Sequence, residues 1–404
     1  MKERGAGRMV KKKVMILGAS IGQVSIINKA KELGYEVAVV DQNENAVGIQ
    51  FSDVFFHAST IDENAVTEIA KKYRPDGITT VQTDMPVRAI AKACSECGLT
   101  GISYDTAIKA TDKQQMIEAF KASGISSPWY FVVENGKIDS VLDELIYPCI
   151  FKPVDNSGSR GISLVENKQC VKEALLYSTR NSKNGKILIE EYLRGPEVSV
   201  EIFMIDGVAH ILAITDKLTT GAPHFVEIGH SEQTQLDEKS KEDIAKLAKD
   251  AMLTIGVFNG PGHVEIILTK DGPKMVELGA RLGGDFITTD LVPLATGVDL
   301  LAATLQMACG EEPNLEIKFD KGSAIRFIAA EEGIIESIQG IREAKNIKGT
   351  VKVEMLKDVG QIIQPLKSSL DRVGYIIAQG NTPEEAIEKC STALEKINIR
   401  IRKI

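Results

Sequence analysis

The sequence predicts a mixed fold in which an α/β domain at the N-terminus is followed by α+β domains. The first observation is that short apolar strands alternate with helices over residues 13–110, a pattern typical of a parallel sheet. The second is a change at about residue 113, after which longer strands and hairpins dominate. The third is the length of 404 residues, which exceeds one ordinary core and predicts two or three domains.

The N-terminal domain is predicted to be Rossmann-like. Its predicted strands are residues 13–17, 36–40 and 78–81, and its predicted helices are residues 22–33, 61–73 and 85–97. The turn from Gly18 to Gln23, together with Asp41 at the end of the second strand, partly matches a dinucleotide-binding fingerprint. Because Ser20 stands where the second glycine of G-x-G is needed, we do not expect NAD binding.

The later elements are predicted from the same periodicities. The predicted strands are residues 129–133, 149–152, 162–165 and 187–190, and the predicted helices are residues 113–123, 168–179, 237–255 and 383–397. Long strands of antiparallel character are expected over residues 197–216. Thr382 is the expected N-cap of the final helix, with Pro383 at its first position.

The charge and the hydropathy exclude several classes of protein. A net charge of −8 and a pI near 5.4 argue against a general nucleic-acid binder, which needs a basic surface. No apolar run approaches the roughly 20 residues of a membrane span, and the apolar run at residues 14–17 is too short for a signal peptide. We therefore expect a cytoplasmic protein, with residues 1–8 loosely ordered and Met9 as a candidate start.

The six cysteines are scattered along the chain, and only Cys94 and Cys97 form a C-x-x-C pair. No second pair accompanies them, and they lie inside a predicted helix. Ordinary core thiols are therefore favoured over a zinc or redox site.

Two glutamates on either side of a glycine turn are the candidates for a metal site. The turn before Gly272 reads as a type I turn with the glycine in the left-handed bulge position, which pairs Thr269 with Pro273. That register places Glu265 opposite Glu277 on one face of the hairpin. Like charges so opposed are destabilising, whereas Mg²⁺ readily takes one or two carboxylates as ligands.

Solvated glutamates on an exposed face are the alternative, and a slip of one residue in register would separate them. Arg281 follows Glu277 by four residues. Gly283, Gly284 and Asp285 come directly after it. This grouping favours a site over a solvated face.

A polar loop at residues 155–161 has the composition of a phosphate-binding loop. Its small residues are Ser157, Gly158, Ser159 and Gly161. Backbone N–H groups in such loops can surround phosphate oxygens. Lys152 ends the buried strand before the loop, where a cation is costly without a partner. A mobile surface loop is the alternative interpretation.

The strand predicted at residues 187–190 runs into Glu190, Glu191 and a Gly-Pro turn. This pattern suits an interdomain hinge that contacts a base through backbone groups, and an exposed acidic turn explains it equally well.

A histidine-containing segment, residues 223–230, is a candidate substrate site. His224, Glu227 and His230 lie within seven residues, and histidine can accept the proton of an amine because it titrates near neutral pH. Capping and structural hydrogen bonds are the alternative. Arg326, on an apolar strand at residues 324–329, is a candidate partner for a substrate carboxylate, and a structural ion pair is equally consistent.

Taken in order, these segments resemble the ATP-grasp superfamily, and the resemblance covers nearly the whole chain. It implies a Rossmann-like domain at residues 1–112, a two-lobed ATP-grasp domain at residues 113–310 and a C-terminal α+β lid domain at residues 311–404. The flap lobe is expected at about residues 128–192.

The resemblance also implies the ligands of ATP and of its metal. The implied ATP-binding residues are Lys113, Lys152, Ser157, Gly158, Ser159, Gly161, Glu190, Glu191, Leu193 and Glu197. Glu265 and Glu277 would hold Mg²⁺, with Mn²⁺ as an alternative, and Arg281 would steady the transferred phosphate. This chain has Gly279 where the family pattern E-x-N-x-R has Asn. Either water or Glu277 therefore completes the coordination of a second metal ion, or only one metal ion binds tightly.

Within the superfamily, the histidine segment and the run from Glu277 to Asp285 most resemble the L-amino acid ligases. This implies an ATP-dependent carboxylate–amine ligase that forms an acyl phosphate from amino acids or small carboxylates and releases ADP and phosphate. Arg281, His224 and His230 would be catalytic. The implied substrate-binding residues are Glu227, Gly283, Gly284, Asp285 and Arg326.

Biotin carboxylase and the purine-pathway synthetases share this scaffold and are the alternative enzymes. A non-catalytic ATP-binding sensor or scaffold is the alternative outside enzymes, because Gly279 replaces the expected metal ligand. The resemblance also suggests a homodimer acting on small molecules, with no nucleic-acid or membrane partner.

Overall fold

The computed structural model describes residues 11–134, 136–156 and 160–403. The chain divides into two compact units, an N-terminal unit of residues up to 107 with 299–315, and a main unit of residues 108–298 with 316–404. The three-domain boundaries stay a prediction. Residues 1–8 and three residues of the predicted phosphate loop, Ser157, Gly158 and Ser159, lie outside the described residues.

The N-terminal unit contains a parallel sheet. Its strands are β1 (Lys13–Leu17), β2 (Glu36–Asp41), β3 (Val54–His57) and β4 (Gly77–Thr79), and its first helices are α1 (Val24–Glu32), α2 (Glu63–Tyr73) and α3 (Val87–Cys97). The strand order is β3-β2-β1-β4, with every neighbouring pair parallel. The alternation of short strands and helices therefore predicted the parallel sheet correctly, although β3 was missed.

The core of this unit explains its cysteine pair. Met15 and Leu17 of β1 are fully buried and pack with Cys94 of α3. Burial raises the pKa of the Cys94 thiol to about 12. Cys94 is thus a core thiol, as the sequence favoured.

The main unit contains all of the remaining strands and most of the remaining helices. Its strands are β5 (Tyr130–Glu134), β6 (Cys149–Pro153), β7 (Ser163–Val165), β8 (Lys186–Glu191), β9 (Glu197–Ile205), β10 (Val208–Thr219), β11 (Glu227–Glu232), β12 (Gly260–Thr269), β13 (Gly272–Gly279), β14 (Gly322–Ile328), β15 (Gly333–Gln339), β16 (Thr350–Met355), β17 (Ile362–Ile363), β18 (Gly374–Gly380) and β19 (Asn398–Arg402). The helices that follow α3 along the chain are α4 (Tyr104–Thr111), α5 (Lys113–Ala122), α6 (Val171–Arg180), α7 (Glu238–Ile255), α8 (Val292–Thr296), α9 (Leu300–Ala308, part of the N-terminal unit), α10 (Ile341–Lys345) and α11 (Pro383–Leu394).

Local signals account for the ends of several helices. Asp112 accepts hydrogen bonds from the backbone N–H groups of Gln114 and Gln115 and so caps α5. The hydroxyl of Thr382 accepts a hydrogen bond from the backbone N–H of Glu385 and so caps α11, as predicted. Helix α11 ends at Leu394, three residues earlier than the sequence suggested.

A four-stranded antiparallel sheet, in the order β5-β8-β6-β7, forms one lobe of the main unit. One face is apolar, with Phe151 and Ile189 buried in the core that includes α6. Because side chains alternate along a strand, Lys152 of β6 and Glu190 of β8 lie on the other face.

An eight-stranded antiparallel sheet, in the order β13-β12-β9-β10-β11-β14-β18-β16, is the largest sheet of the main unit. Its apolar face packs on α7: a Cβ at Gly262 would lie only 2.3 Å from Cε of Met252. The opposite face carries charged and polar side chains, and we call it the polar face. Its members include Glu197, Glu201, Lys217, His230, Glu232, His263, Glu265 and Glu277.

The glutamate hairpin has the predicted pairing but not the predicted turn. Thr269 pairs with Gly272 rather than with Pro273, which shifts the register by one residue. A bulge between Glu265 and Ile266 shifts it back, so Glu265 does lie opposite Glu277. Gly272 has a φ of +106°, the positive value that the glycine was expected to supply.

No single helix among the described residues is long and apolar enough to cross a membrane, and a bent pair of helices passes that test only when the two are joined.

Substituting Gly195 with Ala is expected to disturb the start of β9. Gly195 has a φ of +149°, and an added Cβ would lie 1.9 Å from the carbonyl oxygen of Leu268. We expect the free energy of unfolding to fall by about 3 kcal/mol, because both the backbone and the packing are incompatible with a side chain. Urea denaturation measures this loss.

Gly124→Ala is the matched control, because Gly124 has a φ of +71° and open space around its Cα. It should cost about 1 kcal/mol, the cost of the left-handed backbone alone. Equal losses in the two variants would contradict the role of the Leu268 contact.

Candidate active site

A cavity in the main unit lies between the four-stranded sheet and the polar face. Its lining includes the charged side chains Lys113, Lys152, Arg160, Glu190, Glu191, Glu197, Lys217, Glu227, Glu265 and Glu277. Apolar groups such as Leu193, Ile150 and Met275 complete it. The structure thus brings together residues that the sequence predicted for nucleotide and for metal.

Two predicted phosphate-binding lysines project into this cavity from different elements. Lys113 begins α5, and its Nζ lies 2.9 Å from Oε2 of Glu277 and donates to the carbonyl of Asn156 at 2.9 Å. Lys152 is almost fully buried, with its Nζ 2.6 Å from Oε1 of Glu190. The partner that a buried cation requires is therefore a predicted hinge residue.

The predicted hinge follows β8 along one side of the cavity. Burial raises the pKa of Glu190 above its ordinary value, and the charge of Lys152 opposes this rise. Glu191 pairs with Lys274, whose Nζ lies 2.8 Å from Oε2. Tyr192 and Leu193 then line the cavity, where backbone groups of the hinge can form hydrogen bonds with the base of a nucleotide.

The predicted loop residue Gly161 lies at the base of β7 and has a φ of +84°. Its carbonyl accepts a hydrogen bond from the hydroxyl of Ser178 at 2.7 Å. Its neighbours Arg160 and Ile162 line the cavity.

A lysine that the sequence analysis did not single out lies at the centre of the acidic groups. Nζ of Lys217 lies 2.6 Å from Glu197, 3.2 Å from Glu265 and 3.9 Å from Glu227. Burial disfavours its charge, but the charges of the three carboxylates outweigh burial and raise the pKa of Lys217 well above its ordinary value. Glu197, predicted to bind ribose, therefore has Lys217 as a partner.

A buried histidine lies beneath the metal-site carboxylates. Nδ1 of His263 lies 2.6 Å from Oε1 of Glu201, and Nε2 lies 3.4 Å from Oε1 of Glu265. Burial lowers the pKa of His263, but the charge of Glu201 more than compensates and raises it to about 9. Burial also opposes the charge of Glu265, yet Lys217 and His263 hold the pKa of Glu265 well below its ordinary value.

A second charged cluster adjoins the first through Glu227. Arg372 binds Asp285 through two hydrogen bonds, of 2.9 and 2.8 Å, and donates from Nε to the carbonyl of Glu227 at 3.0 Å. Its guanidinium stacks on Phe327, 3.6 Å from the ring centroid. Nε2 of His230 lies 3.4 Å from Oδ2 of Asp285.

This cluster fixes the charge of Asp285. Burial disfavours its ionised form, but hydrogen bonds from His230 and Arg372 outweigh burial and hold the pKa of Asp285 well below its ordinary value. Asp285 and Phe286 have φ values of +50° and +64°, a backbone conformation that is uncommon for residues other than glycine. Gly283 precedes them, and a Cβ there would lie 2.5 Å from Nδ1 of His263.

Of the predicted catalytic and substrate residues, Glu227 lines the cavity; those that do not are Arg281, His224, His230, Gly283, Gly284, Asp285 and Arg326. Arg326 pairs with Gly229 in the sheet, so it occupies the face opposite to His230 and packs beside the core formed by Ala324 and α11. Its Nη1 donates to the carbonyl of His230 at 3.1 Å. His224 is half-buried beside the cavity-lining Phe225 and does not itself line the cavity.

Strand periodicity could have found some of the missed residues. His263 precedes Glu265 by two residues and therefore shares its face. Lys217 lies on β10, and the alternation of side chains along a strand predicts its face once β10 is placed. Arg372 follows a single 3₁₀ turn, residues 369–371, and no period in the sequence marks it.

The chemistry of these groups suits a nucleotide with a divalent cation. Glu265 and Glu277 offer oxygen ligands from directly opposed positions, and Mg²⁺ prefers such ligands. Lys113 and Lys217 form ion pairs with these carboxylates, and lysine also binds phosphate as a point charge. The residues therefore fit a metal–polyphosphate complex.

The comparisons with known proteins assign this arrangement to a family. Residues 145–290 match the model of the ATP-grasp domain, and residues 326–402 match L-amino acid ligase C-terminal domain 2. The chain therefore contains an ATP-grasp domain and an L-amino acid ligase C-terminal domain, which confirms the predicted resemblance and the predicted mixed fold.

The relatives point to two kinds of enzyme. The chain is 28% identical to the alanine–anticapsin ligase of Bacillus subtilis over 62% of its length, a match that spans 57% of that ligase. It is 26% identical to the formate-dependent phosphoribosylglycinamide formyltransferase of Sulfurisphaera tokodaii, over 95% of this chain and 96% of that protein. The crystal structure of an L-amino acid ligase from Bacillus licheniformis has the same fold, with a TM-score of 0.84, 22% identity, and coverage of 97% of this chain and 99% of that one.

Asp285→Asn is expected to destabilise the protein near neutral pH and to lose that effect in acid. Because the pKa of Asp285 is lowered in the folded state, its contribution is fully present above its ordinary value of 3.8. The contribution falls below that pH and disappears only as the pH passes through the lowered folded-state pKa. We expect a loss of about 2 kcal/mol at pH 7, the value of a hydrogen-bonded charge. Urea denaturation at pH 7, 5 and 3 measures it.

Asp243→Asn is the control, because Asp243 forms an exposed ion pair with Lys239. That change should cost no more than about 0.5 kcal/mol. A loss at Asp285 that stayed constant from pH 7 to pH 3 would contradict the role of its charge.

Proposed function

We propose that this ATP-grasp protein is a carboxylate–amine ligase. It uses ATP and Mg²⁺, with Mn²⁺ as a substitute, to join amino acids or small carboxylates through an acyl phosphate. The observation that carries the proposal is the cavity itself. Lys113, Lys152 and Lys217 converge there with the opposed Glu265 and Glu277, and Glu227 leads from them to a second charged cluster.

ATP binding is assigned to the side of the cavity nearest the four-stranded sheet. The base would lie along the hinge at residues 190–193, and Glu197 would bind the ribose. Lys113 and Lys152 would exchange their carboxylate partners for phosphate oxygens. Glu265 and Glu277 would hold the divalent ion, which would neutralise charge on the phosphates.

The first chemical step is phosphorylation of the carboxylate substrate. A carboxylate oxygen attacks the γ-phosphorus, the bond to the β-phosphate oxygen breaks, and ADP leaves. Arg281 is proposed to hold the transferring phosphoryl group, because a guanidinium can bind two of its oxygens at once. Arg281 lies two residues after the end of β13, the strand that carries Glu277.

The second step is attack by the amine on the acyl carbon, with release of phosphate. His230 is proposed as the base that accepts the amine proton. Its Nε2 faces Asp285, which leaves Nδ1 as the basic nitrogen, and Nδ1 has no hydrogen-bond partner among the described residues. A carboxylate that orients a histidine in this way is a recurring device in acid–base catalysis.

The second candidate is a formate-using ligase of purine synthesis. The near-complete mutual coverage with the formyltransferase favours it. The similarity to the alanine–anticapsin ligase and the L-amino acid ligase C-terminal domain favour amino acids instead. The cytoplasmic location and the homodimer stay predictions.

Phosphate release from Mg-ATP should depend on a pair of substrates. We expect release when a matrix of paired amino acids and small carboxylates includes the right pair, and none with either partner alone. Glu277→Gln should lower the rate by at least about 100-fold, because it removes a metal-binding charge. Malachite-green detection measures the phosphate.

Lys246→Met is the control for this assay, because Lys246 forms an exposed ion pair on α7. It should retain full activity. Release with formate and glycinamide ribonucleotide alone would establish the second candidate. Nucleotide binding without release from any pair would favour the non-catalytic sensor.

His230→Asn should separate ATP binding from amide formation. We expect ATP affinity to stay within about twofold of the unaltered protein and turnover to fall by about 100-fold or more, the usual contribution of a general base. Isothermal titration and the phosphate assay measure the two quantities. Unchanged turnover would contradict the assignment of His230 as the base.

A further inference from the structure

Lys217 occupies a position that is unusual for a lysine. Only 4% of its side chain is exposed, and three carboxylates surround its Nζ. All three, Glu197, Glu227 and Glu265, lie on strands other than that of Lys217. Glu265 is one of the two proposed metal ligands. The ammonium therefore lies inside the metal site rather than at its edge.

The charges of the site explain why a cation is needed there. Glu197, Glu227, Glu265 and Glu277 all line one cavity, and ATP would bring further negative charge. Lys113 neutralises Glu277 from one side. Lys217 reaches the other three carboxylates.

The hairpin also lacks the side chain that would bind a second metal ion. Gly279 lies directly opposite His263 in the register, and glycine offers no ligand atom. Both oxygens of Glu265 already face protein groups, Oε2 facing Lys217 and Oε1 facing His263. Each carboxylate oxygen can accept more than one partner, so one ion between Glu265 and Glu277 remains compatible with these contacts.

We infer that Lys217 takes the place of a second divalent cation, so that the chain binds ATP with a single metal ion held by Glu265 and Glu277. The inference rests on the proposed ATP site. A lysine ammonium is a compact point charge, and Lys217 is fixed by ion pairs to strands β9, β11 and β12. Its charge would act on the phosphate chain beside Glu265, as that of Lys113 would beside Glu277.

The experiment counts Mn²⁺ bound to the full chain with a non-hydrolysable ATP analogue. Electron paramagnetic resonance of free Mn²⁺ gives the count, and we expect one ion per chain at saturating analogue. Two ions per chain of similar affinity would overturn the inference while leaving the proposed function intact. Failure of the analogue to bind at all would overturn both.

Substitutions of Lys217 test the role of its charge. Lys217→Met should weaken analogue binding by about tenfold or more at micromolar Mn²⁺, the effect of losing one charged phosphate contact. At millimolar Mn²⁺ a second ion should bind and restore part of the affinity. Lys217→Arg should keep both the affinity, within about threefold, and the single ion.

Lys246→Met is the control, since it removes an exposed lysine of the same unit. A Lys217→Met protein with unchanged affinity and unchanged ion count would show that Lys217 is a structural cation only. Thermal unfolding checks that each variant is folded. If Lys217→Met does not fold, the count in the unaltered protein still decides the question.

Discussion

The opposition of Glu265 and Glu277 is the constraint on which the site depends. Two carboxylates held face to face on a hairpin repel each other, and this chain places cations around them from separate elements. Lys113 comes from the start of α5, Lys217 from β10, and His263 from β12 itself. The site therefore exists only when the two sheets and α5 of the main unit are assembled.

The polar face of the large sheet extends the same arrangement below and beside the cavity. Glu201 holds His263, and burial raises the pKa of Glu232 well above its ordinary value, which favours its neutral form. Glu227 contacts both Lys217 and Arg372. A change of charge at the metal carboxylates can therefore reach the Asp285 cluster through one side chain.

Hydrophobic periodicity predicted much of the fold, and the expected pairing of charged residues predicted part of the site. Because a buried lysine is costly without a partner, Lys152 was expected to have one, and Glu190 is that partner. The prediction for Arg326 did not consider strand parity, which places this residue on the face away from His230. The hairpin pairing was right although the turn was one residue shorter, because a bulge is not visible in the hydrophobic pattern. The position of Arg372 depends on tertiary contacts with a distant loop, and no local sequence pattern predicts it.

The contacts of Arg372 explain how an unfavourable backbone is maintained beside the proposed active site. Asp285 and Phe286 both have positive φ values, and each such residue costs about 1–3 kcal/mol and persists only where its surroundings impose the conformation. The paired hydrogen bonds from Arg372 fix Asp285, and the hydroxyl of Thr288 fixes the carbonyl of Gly283 at 2.6 Å. Arg372 lies 87 residues further along the chain, so a distant segment stabilises the loop that orients His230. The geometry of the proposed base thus depends on the region that matches the L-amino acid ligase C-terminal domain, which gives that region a role in the site beyond packing.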